Sequence, residues 1–119
     1  MVFIKEYTGK KIILSNGVSL QGSFILSHDG TYYPLQIKTD VITFLNNKDN
    51  FTILKEFSNN CELALIGCGK EFIIPSLNVK QYVKSLGLNL EWAITSSSFH
   101  IFNMLVEDER PCIGLFINN

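Results

Sequence analysis

Polar and apolar positions alternate along the first third of the chain and group at helical spacings along the rest. Val18, Leu20, Gly22, Phe24 and Leu26 alternate with Ser19, Gln21 and Ser23. That period predicts a strand with one inward and one more polar face. Lys11–Ser15 precedes it, and Asn16-Gly17 lies between the two. Such a dipeptide is the strongest short hairpin signal, because both central residues of the tight turn need φ > 0. His28-Asp29-Gly30 predicts a second turn, and Thr31–Ile37 a further strand. Pro34 within that strand marks an edge or a bulge, since it has no N–H to give a central ladder.

Beyond residue 48 the pattern turns to alternating strand and helix. Asp49 or Asn50 can cap a short helix to about Phe57, with Phe51, Leu54 and Phe57 inward. Leu63–Ile66 is a continuous apolar run, as expected of a strand buried on both faces. Gly67-Cys68-Gly69 ends it. Pro75-Ser76 starts a helix whose Val79, Tyr82, Val83 and Leu86 recur at helical spacing, and Gly87 terminates it. Leu88–Ile94 and Cys112–Ile117 read as strands on either side of a last helix, Thr95 to Arg110. A β-α-β-α-β order implies parallel strands with right-handed crossovers.

That last helix has an unusual surface. At about 100° per residue, Phe99, Phe102, Leu105 and Val106 share one broad face, and Ser96, His100, Asn103 and Glu107 line the opposite side. A helix this apolar is mostly buried. Its narrow polar stripe is then either a solvent window or the wall of a small polar site.

Composition narrows the class. The 119 residues suffice for one domain; 46% are hydrophobic and 18% charged, with mean hydropathy +0.18. A chain this short buries only about two-thirds of its unfolded surface, so some apolar excess is free to cover a partner. Net charge is −1 with pI about 6.1 and singly scattered Lys and Arg. No basic stripe can neutralise phosphates, which argues against nucleic acid. No stretch approaches the ~20 apolar residues of a membrane span. The start of the chain lacks the features of a signal peptide, so the cytoplasm is the expected compartment. Cys61, Cys68 and Cys112 are odd in number and without framework or zinc spacing, which predicts three reduced thiols.

Each candidate group has a functional and a structural reading. Gly67-Cys68-Gly69-Lys70 could cradle an anion, but a phosphate loop needs GxxxxGK[ST] running into a helix, and Phe72-Ile73-Ile74-Pro75 intervenes. A tight strand-end turn is the expectation. Cys68 sits where α/β sites form, yet lacks an identifiable base and reads as an inert buried thiol. Thr95 and Ser96–Ser98 read as helix caps, because no G-x-S-x-G elbow is present. His100 has no second metal ligand one turn away. The amide of Asn103, in so apolar a helix, must bond neighbouring backbone or a ligand. Arg110 follows Glu107, Asp108 and Glu109, and reads as a helix-terminal cation paired with a local carboxylate.

The order of these motifs resembles the small α/β domain of mitochondrial respiratory complex I assembly factor 3 and its bacterial homologues. The strand ending Gly67-Cys68-Gly69 stands for a Gly-Thr-Gly. Thr95 takes the place of a strand-ending Thr, and Phe102-Asn103-Met104-Leu105 that of an aromatic-Asn-x-Leu pattern. Asp108-Glu109-Arg110 takes that of an acidic-Gly-Arg turn. Cys68 replaces the usual Thr, Ile94 stands where many members have Asp, and Glu109 where they have Gly. The match runs over Glu62–Ile117 and is loose over the N-terminal hairpin. The resemblance implies a three-layer fold, no established enzymatic chemistry, and protein partners in assembly of the respiratory NADH dehydrogenase.

The expectation is therefore a single three-layer α/β domain over residues 1–119. It has a mixed sheet, with an N-terminal hairpin followed by β-α-β-α-β. It is expected to act without catalysis or cofactor, binding protein partners such as respiratory-complex subunits or assembly factors through the N-terminal hairpin and Tyr32-Tyr33. Self-association stays open. The alternative is a small-molecule- or anion-binding domain, enzymatic or not, with a site near Gly67–Gly69 and Thr95–Asn103, and Arg110 close by.

Overall fold

Three short strands open the chain in a computed structural model that describes residues 1–119: Ile4–Thr8 (β1), Lys11–Leu14 (β2) and Ser19–Gln21 (β3). They form an antiparallel sheet in the order β1-β2-β3. The hairpin between β2 and β3 forms as its sequence predicts, but with a different turn. The Leu14 N–H donates to Val18 O at 2.8 Å and the Gly17 N–H to Leu14 O at 2.9 Å. Gly17 takes φ 89° while Asn16 stays in the ordinary region. The loop thus has three residues, with one left-handed position instead of two.

Residues 18–26 are not one strand. The chain breaks at Gly22, and Ser23–Ser27 (β4) crosses into a second sheet. Every residue of β4 is buried, so the polar outer face expected there is absent. Ser23 instead donates through Oγ to Asn119 Oδ1 at 3.0 Å and accepts the Asn118 N–H at 2.8 Å. The second sheet has the order β5-β4-β8-β6-β7, with Tyr32–Leu35 (β5), Leu63–Gly67 (β6), Asn89–Ala93 (β7) and Cys112–Phe116 (β8). It is mixed: β4 runs antiparallel to β5 and β8, and β6 runs parallel to β7 and β8. The strand with Pro34 is an edge strand, as predicted.

Val41–Leu45 (α1) is a helix the sequence pattern did not announce; Asp40 caps it by accepting the Thr43 N–H at 2.7 Å. Lys48–Phe57 is a 3-10 helix capped by Asn47, not by Asp49 or Asn50. Its buried Phe51, Leu54 and Phe57 recur every three residues, one turn of that tighter helix. Leu77–Ser85 (α2) begins at its Ser76 cap as predicted. Thr95–Glu107 (α3) is the longest helix.

Side chains alternate across β6 and divide the core. Ala64 and Ile66 face a cluster with Phe51, Leu54, Val79 and Val83 from the 3-10 helix and α2. Leu63 and Leu65 face Phe99, Phe102 and Leu105 of α3, with Ile4, Ile12 and Leu14 of the small sheet. Each such buried Val, Leu, Ile or Phe side chain contributes roughly 1.5–3 kcal/mol. This gives three layers, with α2 and α3 on opposite faces. The connections leaving neighbouring strands β6 and β7 therefore diverge, and a crevice opens beyond their carboxyl ends, the usual ligand position in open α/β sheets.

Candidate functional site

Gly67 closes β6 without a side chain because α3 starts directly against it. A Cβ there would lie 2.6 Å from Ser98 Oγ and 3.0 Å from Thr95 Oγ1. Thr95 uses this proximity. Its N–H donates to Gly69 O at 2.9 Å, and its Oγ1 accepts the Gly69 N–H at 2.8 Å and donates to Ile117 O at 2.6 Å. One hydroxyl thus joins the loop after β6 to the residue after β8. It does not cap the helix: the N-cap is Ile94, with no side-chain cap bond. Ser98, buried, donates back to Thr95 O at 2.6 Å. The expected Ser/Thr cap is corrected to a cross-link between strand ends, whose partners 22 and 26 residues away leave no local signal.

Cys68 is fully buried and staples the loop that follows. Its thiol donates to Glu71 O at 3.3 Å and accepts the Ile73 N–H at 3.4 Å. Gly67-Cys68-Gly69 is therefore a packed strand-end turn. The other two thiols are also free and buried. Burial pushes the Cys61 thiol up, and burial with the nearby Cys61 pushes Cys112 up to about 12. Both stay protonated, hence poorly nucleophilic, at neutral pH.

Above these bonds lies a cleft of about 590 Å³. Its walls come from distant parts of the chain: Tyr7 of β1 and Gly9 of the turn after it, Asp40–Ile42, Cys68–Glu71 with Ile73, the Thr95–Ser96 start of α3 with Phe99, and Ile117–Asn119. The volume falls within the range of small-molecule sites, and the lining is part apolar, part polar. Its charges are mixed, Lys70 against Asp40 and Glu71. The hydroxyl and N–H of Thr43 hold the Asp40 carboxyl below its usual range. The side-chain amide nitrogen of Asn118, Nδ2, is buried without a hydrogen-bond partner.

The polar stripe of α3 is divided. Ser96 lines the cleft, and His100, exposed, lies beside it with Nε2 3.3 Å from the Tyr7 hydroxyl. Asn103 is elsewhere: its Oδ1 accepts the Ile4 N–H at 2.8 Å and its Nδ2 donates to Ile4 O at 2.9 Å. The amide stands in for a neighbouring strand and fastens β1 to α3. Glu107 faces solvent. Arg110 lies at the far end of the strands, its Nε donating to Glu62 Oε1 at 3.1 Å. That partner directly precedes β6, so the expected local carboxylate is corrected. Both side chains are about half exposed, and the pair adds under ~1 kcal/mol. Gly69, Cys68 and Thr95 thus share one site with Gly67 just behind, while Asn103 and Arg110 do not belong to it. Tyr32 and Tyr33 sit on the β5 edge, with the Tyr33 ring 5.9 Å from Phe57.

Sequence reasoning missed several apolar side chains left in solvent: Ile42, which lines the cleft, and Phe72, Ile74 and Leu77 on the loop and helix start that follow Cys68–Glu71 are all exposed. A signal existed: Phe72-Ile73-Ile74 is an apolar run in a stretch with no helix or strand pattern.

A family model described as a protein of unknown function (DUF498/DUF598) matches residues 4–117. A Francisella tularensis protein named 13 kDa major membrane protein is 24% identical over a 116-position alignment that covers 92% of this chain and 85% of that protein. Among solved structures, an outer membrane protein from Bartonella henselae superposes with TM-score 0.81 at 20% identity, covering 97% of this chain and 92% of that one. A Bordetella pertussis protein described as an Mth938-like domain gives 0.77 at 13% identity, covering 98% and 85%. These likenesses show a shared fold. No helix of the protein is long and apolar enough to cross a membrane.

Proposed function

Starting from the fact that this chain belongs to the DUF498/DUF598 family of proteins of unknown function, we propose that it is a non-enzymatic protein that works by binding other proteins. The observation that carries this reading is its exposed apolar surface. Ten large apolar or aromatic side chains are exposed on this small domain, and two of them, Tyr7 and Ile42, line the strand-end cleft. Large apolar side chains left in solvent on so small a domain favour an interaction role. The groups that catalysis would call upon are engaged in the fold. The Thr95 hydroxyl both accepts and donates, and the Cys68 thiol holds its own loop. The resemblance to complex I assembly factor 3 makes subunits and assembly factors of the respiratory NADH dehydrogenase the partners to try first. We place this work in the cytoplasm, with Tyr32 and Tyr33 as a second contact surface.

Affinity purification of the chain from native cells tests this directly. Recovery of a specific protein at stoichiometric level is the expected result. A preparation holding a metabolite in the cleft and no protein partner would overturn it. The cleft itself favours that second reading, a small-molecule site near Gly69, Thr95 and Ser96, because the side-chain nitrogen of Asn118, a residue of its wall, is buried without a partner.

A further inference from the structure

The five-stranded sheet ends in two unlike edges, β5 and β7. On an edge strand, alternate residues turn their N–H and C=O groups to the one neighbour, and the residues between turn theirs outward. On β5, the Ser27 N–H donates to Thr31 O at 2.8 Å. With that parity Tyr33 and Leu35 face β4, and Tyr32 and Pro34 face out. Pro34 has no N–H, so this edge is poorly suited to take a further strand. On β7, the Asn89 N–H donates to Glu62 O at 3.0 Å, and Ala93 O accepts the Cys68 N–H at 2.8 Å. Asn89, Glu91 and Ala93 therefore face β6, and Leu90 and Trp92 turn both of their backbone groups outward. The register is unbroken, and the strand holds neither Pro nor Lys. No residue of β7 is buried, whereas every residue of β6 is. Two donors and two acceptors, repeating about every 6.6 Å, thus stand unpaired on an open edge.

Resting on the protein-binding reading above, we infer that β7 takes an extended segment of the protein partner as a sixth strand, with Lys or Arg beside Glu91 and apolar residues beside Leu90 and Trp92. The free groups select a strand, because donors and acceptors at this spacing are matched by another extended backbone. The side chains select its sequence. Glu91 is exposed and is the one charged residue of β7. An opposite charge directly across the ladder is favourable there. Leu90 and Trp92 stand on the other face and pack against the core. Lys80 Nζ lies 4.9 Å from the centre of the Trp92 ring, so a cation is unwelcome on that face. A second copy of this chain fits badly. Joined antiparallel by a two-fold axis, two copies use all four groups only when Leu90 stands opposite Trp92. That register sets Glu91 against the other copy's Glu91, and like charges directly opposite are destabilising. The edge ends at Ala93, two residues before Thr95 of the cleft wall.

The experiment pans a phage library of random peptides on the full chain and follows the Leu90 and Trp92 amide protons by NMR hydrogen exchange. Binding is compared for wild type, Glu91→Lys and Leu90→Pro, which removes one outward N–H as Pro34 does on β5. Circular dichroism melts check that each variant folds. Selected peptides are expected to carry a basic residue between two apolar ones. Both amides should exchange fast in the free chain and slow about tenfold or more with peptide bound. Glu91→Lys, an exposed change, should weaken binding about fivefold, and a peptide with Glu in place of its basic residue should restore it. Leu90→Pro should bind no peptide. The inference is overturned if no peptide is selected, if peptides bind without slowing the two amides, or if Glu91→Lys binds as wild type does. It is equally overturned if sedimentation shows a dimer in which both amides are already slow, since a second copy would then hold the edge. A native partner recovered equally by wild type, Glu91→Lys and Leu90→Pro would remove this inference and leave the protein-binding reading standing. Recovery of no native partner would remove both.

Discussion

Two regions expose large side chains in different ways. Tyr32 and Tyr33 on β5 are 39% and 40% exposed. They lie on a regular edge strand, and the Tyr33 ring meets Phe57 edge-on. Ile42 in the cleft wall, with Phe72 and Ile74 on the loop after β6 and Leu77 at the start of α2, are between 56% and 66% exposed. They project from a loop and helix starts whose inward residues, Val41, Cys68 and Ile73, already satisfy the core. The tyrosines keep most of their surface on their own domain; the other four leave more than half of theirs in solvent. Exposure alone therefore ranks the two surfaces less well than asking what each side chain does for the fold.

Mutations can separate the cleft's foundation from the exposed side chains. The largest effect is expected at the foundation. Gly67→Val would place carbon within 2.6 Å of Ser98 Oγ, and overpacking of this kind should destabilise by ~2–4 kcal/mol in urea melts. A variant as stable as wild type would show that α3 is not closed against β6.

Thr95→Val comes next. It keeps the shape but leaves the Gly69 N–H and Ile117 carbonyl without their partner, for a loss of ~1–3 kcal/mol. Asn103→Leu should lose a similar ~1–3 kcal/mol by stranding the Ile4 backbone. The two differ in where they loosen the protein. Hydrogen exchange should speed up at Gly69–Ile73 in the first and at β1 in the second. Equal effects at both places would erase the distinction between cleft support and sheet fastening.

A smaller contrast tests the two surfaces themselves. Tyr33→Ala should lower stability by ~0.5–1.5 kcal/mol through its lost contact with Phe57. Phe72→Asp should stay within about ±0.5 kcal/mol of wild type. The reverse order in denaturant melts would mean that Phe72 serves the fold after all.

The smallest change lies at the other end of α3, where the resemblance expects Gly and this chain has Glu109. That residue takes φ 58°. The Glu109 N–H donates to Val106 O at 3.0 Å and the Arg110 N–H to Leu105 O at 2.9 Å, a helix end that favours glycine. Glu109→Gly should raise stability by ~0.5–1 kcal/mol. A decrease would show that the Glu109 side chain makes a compensating contact.

Much of the fold was legible wherever one local rule acted alone. The apolar run Leu63–Ile66, the Ser76 cap and the Gly87 stop placed β6, α2 and β7, and Pro34 placed β5 at an edge. Competing rules hid the rest. Alternation continued unbroken through Gly22, so the jump between sheets left parity unchanged. The five residues of α1 are too few to show a helical period, and the three-residue spacing of Phe51, Leu54 and Phe57 suits either helix type. The site was half legible: Gly69, Cys68 and Thr95 meet as their strand-end positions implied. The walls from Tyr7, Asp40–Ile42 and Ile117–Asn119 come together only through tertiary packing, and no pattern within one segment records that.

The central claim is that a protein partner engages the exposed apolar side chains of the loop after β6. Its most direct test puts a benzophenone photo-cross-linker in place of Phe72, and separately of Tyr33, in the full chain expressed in native cells. A cross-linked protein adduct at position 72, absent or much weaker at position 33, is the expected result. Adducts at position 33 with none at position 72 would contradict the account.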